Sequence, residues 1–153
     1  MAPRPCAALG LVVALVVAGC GGEKPPLAAG CTDDATTLLR ALETAPGEVV
    51  LSDGARLSEC VRNARTDGEL QNVGVSMSAA ADRLLVRAQA GDEQAALGLG
   101  YLAGAARRGG DRSNGVGVEL VRRIELRAGA LTREGPATAQ AVQRGLRAGQ
   151  ANG

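Results

Sequence analysis

The chain has 153 residues with 17 basic and 16 acidic side chains, a length that suits one domain and a charge too balanced for a general nucleic-acid binder. It contains no histidine, which removes imidazole catalysis, the usual triads and His-ligated zinc or haem. Tyr101 is the single aromatic residue, so stacking faces for bases or sugars are excluded as well.

Residues 1–5 carry one charge, Arg4, and are followed by the uncharged apolar run CAALGLVVALVVAG over 6–19. As a helix that run would span about 21 Å, short of a bilayer core of about 30 Å, which favours a removable export signal over a transmembrane segment. The run ends in Val17-Ala18-Gly19-Cys20, which resembles the lipobox of bacterial lipoproteins. The resemblance implies that residues 1–19 are a signal peptide, cleaved before Cys20, and that the Cys20 thiol carries a diacylglyceryl group as the mature N-terminus. It also places the domain on the extracytoplasmic face of a cell membrane, held by membrane lipid; two acyl chains on one residue suffice for durable attachment. Segment 20–30, with Gly and a Pro-Pro pair and no periodic pattern, is expected to be a flexible tether.

With Cys6 lost in the leader and Cys20 lipidated, Cys31 and Cys60 remain, and an even pair in an exported chain points to a disulfide. A bridge closing a loop of about 30 residues stabilises by roughly 3–4 kcal/mol on the chain-entropy account. The alternative is a pair of free thiols in redox service, which the absence of CxxC spacing disfavours.

The remainder reads as helices. Thr32-Asp33-Asp34 is a capping signal, and Leu38, Leu39, Leu42 and Ala45 recur at helical spacing up to Pro46-Gly47, predicting a helix over 33–45. Segment 48–54 is a short apolar stub and turn. Leu57, Cys60, Val61 and Ala64 form a second stripe that ends near Asp67-Gly68. Leu70, Val73, Met77, Ala80, Leu84 and Ala88 predict a long amphipathic helix over 69–89, with Gly91 at its end and Asp92 capping the next. That fourth helix, 93–108, aligns Ala96, Gly100 and Gly104, an arrangement costly in helix propensity unless a neighbour packs closely on it. Gly109-Gly110 to Asn114-Gly115 reads as a loop with Ser113 or Asn114 as a cap. Gly117, Val121, Ile124, Ala128 and Leu131 line a fifth helix over 116–131, and Pro136 opens a sixth. The tail from Gly149 is expected to fray, leaving 31–149 as the helical domain and 150–153 outside it. The expectation is an all-α single bundle of five to six helices with one disulfide.

Two further resemblances concern the domain. Residues 95–104, AALGLGYLAG, are similar to the middle of a Sel1-type helical repeat, without a second copy at the required period. The whole domain resembles small helical lipoproteins of high-GC bacteria, in keeping with its preference for Arg over Lys.

Candidate chemistry is sparse. Asp33-Asp34 and Asp92-Glu93 are paired carboxylates at predicted helix starts, where capping accounts for them. No EF-hand, phosphate-binding loop or GxSxG is present, and nothing calls for a cofactor or metal. Tyr101 is expected to be partly buried with its hydroxyl at the surface. Arg107, Arg108, Arg112, Arg122, Arg123 and Arg127 crowd a short stretch, giving either a face for an anionic polymer or an envelope protein, or a solvated face of ion pairs. Together these features predict a membrane-anchored, non-enzymatic binding or scaffolding module. An envelope enzyme with a carboxylate-based site and a carrier of a small apolar ligand are the alternatives.

Overall fold

The computed structural model describes residues 25–111 and 115–153. The expected signal peptide, Cys20 and the first part of the tether lie outside the described residues, as do Arg112, Ser113 and Asn114. Among the described residues a 3-10 turn, Ala29–Thr32, precedes six α-helices: α1 (Ala35–Leu42), α2 (Leu57–Asn63), α3 (Asp67–Gln89), α4 (Glu93–Gly110), α5 (Val116–Leu131) and α6 (Pro136–Asn152). Among the described residues there is no strand, and no helix is long and apolar enough to cross a membrane.

Helix starts follow their caps. Asp34, not Thr32, caps α1 by accepting the Thr37 N–H at 2.9 Å. Beyond Leu42 the chain tightens into three-residue hydrogen bonds from Thr44 to Ala41 and from Ala45 to Leu42, so α1 stops short of the expected 45. The 48–54 stub is irregular, folded back by bonds from Leu51 N to Ala55 O and from Gly54 N to Leu51 O, yet it buries Val49 and Leu51. α3 begins two residues before its expected start because Thr66 and Glu69 form a reciprocal capping box, at 3.1 and 3.2 Å. Gly91, with φ +96°, ends the α3 connection in a conformation that L side chains rarely adopt. Asp92 then caps α4 through the Ala95 N–H at 2.9 Å.

The domain begins before residue 31, since Leu27 and Ala28, expected in the tether, already pack against the core and the 3-10 turn follows them. Gly30 is buried and donates its N–H to the Asp53 carboxylate at 2.9 Å. Cys31 and Cys60 are joined by a disulfide that links this turn to α2.

α4 is the axis. Every residue from Ala95 to Ala106 is buried, the pattern of a helix surrounded on all sides. On one side α6 runs parallel to it at backbone contact. A Cβ at Gly100 would collide with the Val142 carbonyl, and one at Gly104 with that of Leu146; reciprocally, Gly145 faces the Leu97 carbonyl and Gly149 that of Tyr101. The small-residue face expected on α4 is therefore matched by a second one on α6. Gly109, expected in a loop, continues α4 and lies against the Ser58 carbonyl.

The expected frayed tail is a correction. α6 continues to Asn152, Gly153 is buried, Ser58 Oγ donates to the Gly153 main-chain oxygen, and Arg108 donates to the carbonyls of Gln150 and Ala151. Gly149 is an interface residue, not a stop. The opposite sides of α4 are covered by α2, α3 and α5, with α1 bridging α3 and α4.

Candidate functional site

α3 and α5 run side by side in the same direction, Gly74 facing Leu120 and, two turns further, Asp82 facing Arg127. Their amphipathic patterns send Leu70, Val73 and Met77 of α3, and Leu120, Ile124 and Ala128 of α5, into the core. Gly74 presents no side chain, so the Leu120 methyls come to 3.6 Å of where its Cβ would stand. Between the two helices this leaves an open groove of about 800 Å³. One wall is Leu70, Gln71, Gly74, Val75 and Ser78; the other is Val116, Glu119, Leu120 and Arg123, after Gly115. Val75 is 70% exposed and Val116 39%; Val86 on α3 and Val118 and Leu126 on α5 are also exposed, outside the groove. One turn beyond Arg123, Arg127 Nε donates to Asp82 at 2.5 Å and bridges the two helices.

The α5 rim is charged. Glu119 accepts from Arg122 Nε at 2.8 Å and Arg123 Nε at 2.7 Å. These two guanidinium groups, Arg122 first, pull its carboxyl from the ordinary 4.5 down to about 2. Glu119 therefore remains ionised at any physiological pH.

The predicted basic cluster is not gathered on one face. Arg107 pairs with Glu125 at 2.6 Å, Arg108 turns to the end of α6, Arg122 and Arg123 share Glu119, and Arg127 crosses to α3. Arg112 lies outside the described residues. The solvated, ion-paired reading fits these five, because each already has an acceptor and they point towards three different neighbours.

The carboxylate pairs are spent in structure. Asp34 and Asp92 cap helices, Asp33 accepts from Ser52 Oγ at 2.7 Å, and Glu93 pairs with Arg144 at 2.7 Å. Main-chain N–H groups hold the Asp34 carboxyl below its ordinary value, and the Ala95 N–H, then Arg87, do the same for Asp92. Among the described residues no three metal-ligating side chains gather.

Tyr101 departs from expectation. Its side chain, hydroxyl included, is fully buried, and the hydroxyl has no hydrogen bond of good geometry. Burial pushes its pKa up, opposed by the nearby Val49 main chain. The groove itself was not anticipated from the sequence. Large apolar residues off the core stripes do not single it out, since Val86 on α3 and Val118 and Leu126 on α5 are exposed as Val75 and Val116 are and lie outside it.

Comparison with protein-family models, with curated proteins and with solved structures finds no match for this chain.

Proposed function

We propose that the protein is a membrane-anchored envelope lipoprotein whose helical domain is a non-enzymatic binding module, and that the α3–α5 groove is where it binds. The observation that carries the binding reading is the groove itself, with Val75 exposed on its α3 wall and Val116 on its α5 wall. Exposed apolar residues that face each other across a concavity mark interaction surfaces more often than isolated ones do. The anchoring reading is supported by the leader: one basic residue, a short apolar run, and Ala18-Gly19 before Cys20. The groove is open along its length, which suits a partner approaching from the side better than a small molecule that must be enclosed.

Two experiments test the two halves. Changing Cys20 to Ser should move the protein from the membrane fraction to the soluble one or leave an unprocessed precursor; wild-type protein found wholly soluble would remove the anchor. Val75→Asp, at an exposed position, should leave the helical circular dichroism unchanged while weakening association with the native partner. Unchanged association would remove the groove.

A further inference from the structure

We infer that the outer face of α3 is a self-complementary surface on which a second copy of this chain docks, with its α3 antiparallel to the first. The inference goes beyond the binding reading above and does not depend on it. α3 buries Leu70, Val73, Met77, Ala80, Leu84 and Ala88 on one side. Along the opposite side run Val75, Ala79, Asp82, Arg83, Val86 and Ala90, all exposed except the half-buried Ala79. The steps between them are four, three, one, three and four residues, so the row is symmetrical about the midpoint between Asp82 and Arg83. It extends about 22 Å at 1.5 Å per residue.

Antiparallel pairing of two α3 helices about that midpoint sets Asp82 against Arg83 of the second copy, Ala79 against its Val86 and Val75 against its Ala90, and a two-fold axis makes each contact twice. Every facing pair is complementary: opposite charges at the centre, then a valine over an alanine on either side, the fit of a ridge into a groove. The two most exposed large apolar side chains among the described residues, Val75 at 70% and Val86 at 66%, are the two that this pairing covers. Charge fixes the register. Sliding one helix by four residues brings Val75 onto Val86 but sets Asp82 against Ala79 and Arg83 against Ser78, and both ion pairs are lost. The charged groups are open to a second partner. Arg83 donates to the Thr36 hydroxyl at 3.0 Å and forms no ion pair among the described residues. Asp82 accepts from Arg127, yet its side chain is 57% exposed and a carboxylate accepts more than two donors.

The test uses the full chain in cells, carrying Val86→benzoylphenylalanine as a photo-crosslinker, with the crosslinked peptide sequenced by mass spectrometry. Val86 lies outside the α3–α5 groove, so the result does not report on what the groove binds. The expected product has twice the mass of the chain and is joined to the residues around Ala79 of the second copy. Its yield should fall about tenfold or more with Arg83→Glu, which opposes like charges at both central contacts while helical circular dichroism stays unchanged. Ala79→Arg, which fills the shallow site under Val86 from a partly exposed position, should lower it as well. The same photo-reactive residue at Gln140 on α6 should not give the product. Absence of a product of twice the mass overturns the inference, as does attachment to another part of the second copy, to a different protein or to lipid. A yield indifferent to both Arg83→Glu and Ala79→Arg, or matched from Gln140, overturns it equally.

Discussion

Tyr101 combines full burial with a hydroxyl left without a good acceptor, a costly state for a polar group in a core. Removing the hydroxyl should relieve that cost, since leaving a buried group unsatisfied costs about 1–3 kcal/mol. Tyr101→Phe is therefore expected to raise the urea midpoint, by the equivalent of about 1 kcal/mol, and a clear fall would show that the hydroxyl is satisfied in solution. Because burial raises the phenol's pKa, the native state favours the protonated form. Its contribution is complete below the ordinary value of 10.0 and is lost as pH rises through the raised one. Glu119 behaves in the opposite sense. Its stabilising pairing is complete above the ordinary 4.5 and is lost as pH falls towards about 2, so NMR titration should place it near the low value, and removing both Arg122 and Arg123 should return it to the carboxylate range. Such residue-scale facts were only partly legible in the sequence. Asp92 as a cap could be read from its place between Gly91 and an apolar run, but whether the Tyr101 hydroxyl met solvent depended on Val49, fifty-two residues away.

At the scale of elements, the α4–α6 contact is the feature on which the bundle depends, and its glycines can be tested against one that touches nothing. Gly100 and Gly145 each face a main-chain carbonyl that cannot yield as a side chain would, whereas nothing lies within 4 Å of the Cβ position at Gly129 on α5. Gly100→Ala and Gly145→Ala should each destabilise by about 1–3 kcal/mol or more through overpacking. Gly129→Ala should stabilise by about 0.5–1 kcal/mol through helix propensity. Equal effects at the three sites would mean that α6 does not approach α4 so closely. The same glycines show why some boundaries were readable and others not. α5 was anticipated to the residue, since its apolar face is continuous and Gly115 precedes it. Gly149 and Gly109 look like stops in one dimension and are contacts in three, because only the position of a partner backbone distinguishes the two roles. For α3, the Asp67-Gly68 pair suggested a break, but the Thr66–Glu69 capping box outweighed it.

For the whole molecule, the disulfide and the order of helices could be inferred from cysteine parity and periodicity, while the groove could not. It arises from α3 and α5 lying parallel although α4 separates them in the chain, a non-local arrangement that leaves little trace in either helix. The Cys31–Cys60 bridge ties the start of the domain to α2 across 29 residues, and replacing both cysteines by serine should lower stability by about 3–4 kcal/mol, with faster hydrogen exchange at the 3-10 turn and α2 before α4 and α6. Exchange that rises first in α6 would contradict that order. The central claim, that this domain is held at a membrane through its first mature residue, is tested most directly by the mass of the N-terminal peptide of protein extracted from cells with detergent. The account predicts a peptide beginning at Cys20 and carrying acyl chains. A peptide beginning at Met1, or an unmodified Cys20 within it, would contradict it.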